Sequence, residues 1–187
     1  MAIEAELKAR VRDVPAVRAA LAERATPATA VYHDAYFDQA ANRFMATGRE
    51  LRVRTIETVG GVRHLLTFKA PVVDEVSGSK PEFETEVSDP EAAMMILHGL
   101  EYRQVLEFTK DCENFEFEHD GYPMLATLVT VPEIEGTFLE VETVVEQESE
   151  LNASLGAVRA VLNELGIGED DLTTELYTDA VARSRTA

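Results

Sequence analysis

Full charges recur at every second residue inside segments that are otherwise apolar. Glu4, Glu6 and Lys8 alternate with Ile3, Ala5 and Leu7; Arg52 and Arg54 flank Val53; Glu82 and Glu84 flank Phe83; Glu140 and Glu142 flank Val141. Single lysines stand in further strand-like runs at Lys69 and Lys110, and Lys80 precedes the Glu82 pair. Two is the strand period, so side chains two apart share a face, about 7 Å from one another along it. Each pair therefore projects two like charges from one face. On an open antiparallel sheet such a face meets water, which is the ordinary outcome. On a sheet closed into a barrel the charged faces can all point inward instead. The interior would then hold six acids (Glu4, Glu6, Glu82, Glu84, Glu140, Glu142) and six bases (Lys8, Arg52, Arg54, Lys69, Lys80, Lys110). Unpaired buried charge is very costly, so an interior of this kind calls for a highly charged ligand with counter-ions.

Strand candidates run over 3–11, 31–38, 50–57, 64–70, 82–87, 104–110, 114–119, 124–131 and 137–145. The Gly60-Gly61 and Asp120-Gly121 pairs signal hairpin turns. Asp13 with Pro15, and Asp89 with Pro90, read as helix starts, and Gly99 can close the second helix. Leu151, Leu155, Val158, Leu162 and Leu165 form a helical stripe ending at Gly166. A last helix is predicted near Glu169-Asp170-Asp171, because acids favour a helix N-terminus. Many short strands with helices at the edges predict one α+β domain over 1–187, built on an antiparallel sheet or barrel.

Composition narrows the function. Lys plus Arg number 17 against 35 Asp plus Glu, a formal net charge of −18. Such a surface repels nucleic acid and anionic lipid, so neither is an expected partner. No run approaches the ~20 apolar residues of a membrane span. The start of the chain turns acidic at once and reads as no secretory leader. Cys112 is the single cysteine, which excludes an internal disulfide and suits a reducing, cytoplasmic setting. It reads as a small buried hydrophobe. His33, His64, His98 and His119 lack metal-ligand spacing, and Tyr36 and Tyr177 read as core packing ahead of cavity lining.

The ordered motifs carry a resemblance. Glu4-x-Glu6-x-Lys8, the run His33-Asp34-Ala35-Tyr36-Phe37-Asp38, Arg52-x-Arg54 in Gly48–Arg54, Lys69-x-Pro71, Lys80-x-Glu82-x-Glu84 and Gly136-x-Phe138-x-Glu140-x-Glu142 resemble, in this order, the motifs of the CYTH superfamily, the triphosphate tunnel metalloenzymes. The resemblance spans nearly the whole chain. It implies an eight-stranded antiparallel closed β-barrel, or tunnel, with helices packed outside, binding triphosphate compounds with Mg²⁺ or Mn²⁺. It covers adenylate cyclases of class IV and thiamine, inorganic and RNA triphosphatases.

The side-chain chemistry agrees. Arg52 and Arg54 can grip phosphate oxygens bidentately, while Lys8, Lys69, Lys80 and Lys110 act as point charges. Glu4, Glu6, Glu140 and Glu142 are the candidate metal ligands, since Mg²⁺ takes one or two carboxylates with water and phosphate. Lys8, Glu140 and Glu142 are the candidate catalytic residues, and Glu82 and Glu84 line the tunnel. The expected substrate is tripolyphosphate, a nucleoside triphosphate or thiamine triphosphate. Hydrolysis leads, since no adenine pocket is evident; a class IV adenylate cyclase and a non-catalytic nucleotide or polyphosphate binder are the alternatives. An apolar-ligand carrier is disfavoured by the paired charges. Exposed apolar barrel surface can support a homodimer. Two positions depart from the family: Cys112 stands where an Arg is common, and Thr130 roughly where an Asp is. Both are expected to face the tunnel, Cys112 because it shares a strand face with Lys110.

Overall fold

The computed structural model describes residues 2–74 and 77–186. Eight strands make one antiparallel sheet: β1 (Ile3–Val11), β2 (Ala28–Asp38), β3 (Glu50–Thr58), β4 (Gly61–Lys69), β5 (Glu82–Glu86), β6 (Arg103–His119), β7 (Tyr122–Thr130) and β8 (Thr137–Val145). Their spatial order is β1-β8-β7-β6-β2-β3-β4-β5, so the first strand of the chain pairs with the last. Four helices accompany them: α1 (Val14–Ala22), α2 (Pro90–Gly99), α3 (Leu151–Glu164) and α4 (Tyr177–Ser184).

The sheet curls until its two edges touch. Ile3 and Pro81 form a single antiparallel bridge, flanked by Glu4 N–H donating to the Lys80 carbonyl (3.3 Å) and Glu82 N–H donating to the Ala2 carbonyl (3.1 Å). The ladder does not extend from there, so the barrel has an open seam where full closure was expected. The cause is local: β5 has only five residues, and Pro81, just before it, has no N–H to give. Further along, the same edge of β1 is covered by the C-terminal segment, through an Ala9–Leu172 bridge and Thr173 N–H donating to the Lys8 carbonyl (2.8 Å).

Strand alternation sorts the chain into two faces. Outside, Ala5, Leu7, Ala126, Leu128, Leu139 and Val141 pack under Leu155, Val158, Val161 and Leu162 of α3, with Val17 and Leu21 of α1. A second outer cluster places Leu97 and Met94 of α2 on Phe37, Leu51 and Val53. The helices thus cover two apolar patches of the outer wall and leave the polar face inside. Asp13 and Asp89 cap α1 and α2 as expected, accepting from Ala16 and Ala92 N–H at 3.1 and 2.9 Å.

Three local expectations change. The runs 104–110 and 114–119 are one 17-residue strand, β6, because alternation continues through Asp111, Cys112 and Glu113 while the pairing partner changes from β2 to β7. The acids at 169–171 close only a single 3-10 turn, and the last helix begins at Tyr177. The β3–β4 loop is Val59-Gly60, with Gly61 already paired to Thr58, whereas Asp120-Gly121 forms its two-residue turn with both φ positive (50° and 80°). Among the described residues no helix is long and apolar enough to cross a membrane.

Leu162 is 1% exposed at the centre of the α3 contact. Leu162→Ala is expected to cost about 3 kcal/mol, within the range for buried Leu truncations. Urea denaturation checks this; a loss below about 1 kcal/mol would mean that α3 is not seated on the sheet.

Candidate functional site

All twelve charged residues singled out by alternation line one cavity of about 520 Å³ on the inner face of the sheet. Glu4, Glu6 and Lys8 come from β1, Arg52 and Arg54 from β3, Lys69 from β4, Glu82 and Glu84 from β5, Lys110 from β6, and Glu140 and Glu142 from β8. Lys80 enters from the segment before β5. Cross-strand pairing explains the convergence, since Glu6 sits opposite Glu142 and Lys8 opposite Glu140.

One wall is cationic and is organised by Asp34, which is 1% exposed. Its carboxylate accepts a bidentate pair from Arg54 (Nε to Oδ1 2.6 Å, Nη2 to Oδ2 2.7 Å), with Arg52 Nη1 at 3.8 Å and Lys110 Nζ at 3.7 Å. Burial alone would raise its pKa, but Arg54, Arg52 and Lys110 override that and hold it well below the usual carboxylate range. Arg52 keeps a buried Nε with no hydrogen-bond partner, a donor left over in the cavity wall. Burial lowers the Lys110 ammonium despite Glu140 and Asp34 nearby.

The opposite wall is acidic and unevenly compensated. Lys69 bridges Glu4 and Glu82, and Lys80 pairs with Glu50. Lys69 outweighs burial at Glu82 and holds its carboxyl down at about 2. Burial, with Glu82 and Glu6 adding to it against Lys69, pushes Glu4 up to about 7. Glu6 is raised by burial and by Glu140, and Glu142 is raised well above its ordinary value by burial and by Glu4 and Glu6. Glu140 goes the other way, because Lys110 and Lys8 outweigh its burial.

Glu4, Glu6 and Glu142 are thus a like-charge group short of cations. That chemistry suits a divalent metal. Among the described residues no three Asp, Glu, His or Cys side chains already converge as a ligand set. Mg²⁺ commonly takes only one or two carboxylates and completes its octahedron with water and phosphate, so a carboxylate-lined wall without a closed cage fits such an ion.

Several residues that build the site carried no distinct sequence signal. Asp34, buried behind the cationic wall, lies within the run His33–Asp38 and had no role assigned there. Glu50 continues the Arg52/Arg54 alternation, and that parity could have found it. Tyr32 stacks under Arg54 (4.5 Å from the ring centroid to Cζ) and accepts from the Asn114 amide at 3.0 Å, while Asn114 accepts from Thr127 Oγ1 at 3.0 Å. Thr173, Thr174, Leu176 and Thr178 close over the cavity from the C-terminal segment, where no periodicity announces them, and Tyr36 and Tyr177, read as core packing ahead of lining, both pack in the core and line the cavity.

The two departures separate. Cys112 is 4% exposed, lines the cavity as expected and has its thiol pushed up to about 12 by burial, so it is an inert wall residue. Thr130 is exposed on the outer face, opposite Asp111, because Ala126 and Leu128 on the same parity pack under the outer helices. The two positions therefore do not share the tunnel wall.

Comparison with known proteins follows this geometry. The CYTH domain matches residues 2–177. The chain belongs to the CYTH family. A Methanocaldococcus jannaschii protein named as a proposed adenylate cyclase is 24% identical over 148 residues, 78% of each chain. The structure of a Pyrococcus horikoshii OT3 protein superposes with a TM-score of 0.85 at 25% identity, covering 97% of this chain and 99% of that one. A Hippeastrum protein, described as a proposed adenylyl cyclase with a dominant triphosphatase activity, superposes with a TM-score of 0.65 at 19% identity, over 98% and 96% of the two chains. The last of these attests the CYTH fold alone.

The acidic wall makes a stability prediction. A carboxyl whose folded pKa is raised stabilises the fold in its protonated form, fully below the unfolded value and less as pH rises through the folded one. Glu142→Gln removes that loss. In EDTA at pH 8 the variant should melt about 2–4 °C above the parent, as for ~1 kcal/mol in a chain of this size, and the gap should close towards pH 4.5. A lower melting temperature at pH 8 would show that Glu142 is adequately paired as it stands.

Proposed function

We propose that this chain is a divalent-metal-dependent triphosphatase that binds its substrate within the charged cavity. What carries the reading is the division of one inner surface into an Asp34-organised cationic wall and a cation-poor acidic wall. A triphosphate brings roughly four negative charges, and its hydrolysis is catalysed mainly by positioning and charge neutralisation. Arg52 and Arg54 would grip non-bridging oxygens; Lys8 and Lys110 would neutralise charge along the chain of phosphates. Glu4, Glu6 and Glu142, with Glu140 beside them, would hold Mg²⁺ or Mn²⁺, which when bound supplies Lewis acidity and charge neutralisation. Water attacks the terminal phosphorus, the P–O bond to the bridging oxygen breaks, and phosphate leaves from the remaining diphosphate. Lys8 and Glu140, adjacent across β1 and β8, are the pair best placed to hold or accept a proton there. The triphosphatase activity described for the Hippeastrum protein of the same fold supports this reading.

Class IV adenylate cyclase chemistry is the second reading, supported by the name of the M. jannaschii relative and by the neutral part of the lining. Tyr32, Ile56, Leu65 and Leu125 offer ring and aliphatic surface for an uncharged group. In that reaction the adenosine 3′-hydroxyl attacks the α-phosphorus and diphosphate leaves. The single buried cysteine suits a cytoplasmic setting, and the net charge of −18 disfavours nucleic acid and membrane surfaces as partners. Exposed Met95 and Ile96 on α2, with Leu100 just past its end, would suit a homodimer.

Tripolyphosphate, ATP, GTP and thiamine triphosphate, each with Mg²⁺ or Mn²⁺ and with EDTA, distinguish these readings when phosphate, diphosphate and cyclic nucleotide are quantified separately. Metal-dependent phosphate release is the expected result. Cyclic AMP with diphosphate would replace the first reading by the second, and tight binding without turnover would make the chain a binder. Arg52→Ala is expected to weaken tripolyphosphate binding by about 1.5–3 kcal/mol, the value of a charge-assisted hydrogen bond; titration calorimetry reads it.

A further inference from the structure

Tyr177 opens α4 at the edge of the cavity and is 7% exposed. Two of the cavity lysines converge on its ring: Lys8 Nζ lies 4.5 Å and Lys110 Nζ 4.3 Å from the centroid. The ring is held from behind by Phe138, edge-on at 5.3 Å, and by the apolar cluster containing Val181, Val129 and Cys112. The strand edge holds the segment leading to it, through Thr173 N–H to the Lys8 carbonyl and Lys8 Nζ to the Glu175 carbonyl (2.5 Å). The Glu175 carboxylate pairs with Arg183 and lies 3.8 Å from Arg10. The Tyr177 hydroxyl is buried beside Glu140 but makes no hydrogen bond of regular geometry.

The cavity thus holds its lysines in two different ways. Lys69 and Lys80 rest on carboxylates, whose oxygens compete with any incoming phosphate for the same N–H groups. Lys8 and Lys110 share an aromatic face, which attracts an ammonium through its quadrupole and offers no anionic oxygen; beyond the ring, Lys8 donates to the Glu175 carbonyl and Lys110 lies 3.7 Å from Asp34, outside hydrogen-bond distance. Two like charges brought to one ring repel each other, so their positions depend on that attraction and on the rigid seat of the ring. Apart from the one Lys8 gives to Glu175, their N–H groups stay available to an anion.

We propose that Tyr177 is a positioning residue: its ring fixes Lys8 and Lys110 where they meet the phosphate chain, so the C-terminal segment is part of the binding machinery. The proposal rests on the triphosphate reading. Tyr177→Phe keeps the ring and Tyr177→Leu removes it while retaining apolar bulk. The expected result is a Kd and KM for tripolyphosphate with Mg²⁺ close to the parent's in Phe and at least tenfold higher in Leu. The lysine Hε and Cε resonances of the ligand-free protein, assigned with Lys8→Arg and Lys110→Arg, should carry ring-current shifts in the parent and Phe variant and lose them in Leu. Tyr177→Met serves in place of Leu if that variant does not fold. Equal affinity in all three proteins overturns the proposal. So does an equal loss in Phe and Leu, which would assign the effect to the hydroxyl. If the parent itself does not bind tripolyphosphate, the triphosphate reading falls, and the lysine resonances alone decide whether Tyr177 positions them.

Discussion

Charge neutralisation across strands is the constraint on which the rest of this molecule depends. Full charges can occupy a half-buried inner face only where opposite charges reach them from neighbouring strands. Asp34 meets that condition for Arg52 and Arg54 of β3 and Lys110 of β6. Remove its carboxylate and three cations face one another in a poorly solvated space. The curl of the sheet, the inward parity of β2, β3 and β6, and the placement of the phosphate-binding candidates are all tied to this one buried acid.

The acidic wall lacks an equivalent. Lys69 serves Glu4 and Glu82, Lys8 and Lys110 serve Glu140, and little remains for Glu6 and Glu142. In the absence of a cation this is an internal cost of the fold, of the kind that functional sites often retain. The same imbalance gives the cavity its polarity, with one wall attracting anions and the other attracting metal cations.

Much of this was legible in the sequence because strand parity is a strict code. Every charged residue placed inside by alternation lines the cavity, and β1 and β8 have the bounds that alternation gave them. Parity fixes a face but says nothing about where a strand stops or which strand lies beside it. Hence β6 read as two strands, although its alternation never breaks, and the seam at Pro81 was hidden by the expectation of complete closure. Thr130 was misread for a different reason: it was placed by the position where the family commonly has an Asp, although the parity shared with Ala126 and Leu128 points it outward. Tyr177 was read as core packing ahead of cavity lining and its neighbours gave no signal, since a segment that lies across a barrel end has no periodicity to read. The acidic run 169–171 drew the last helix towards itself, but charge at a helix start cannot supply the apolar stripe that Tyr177 and Val181 provide.

The pairing of β1 with β8 has a consequence for how the chain acquires its site. Ile3 ends opposite Val145, so the N-terminal strand emerges early and finds its ladder partner only after most of the chain has been synthesised. Until then Glu4 and Glu6 are solvated, and the hairpins β3–β4 and β6–β7, which need only local contacts, can form without them. The cationic wall, carried by β2, β3 and β6, needs pairings of shorter sequence separation than the acidic one. The acidic wall depends on the longest-range pairing of the sheet, β1 with β8, so the residues that repel one another most meet only where the most distant strands are joined.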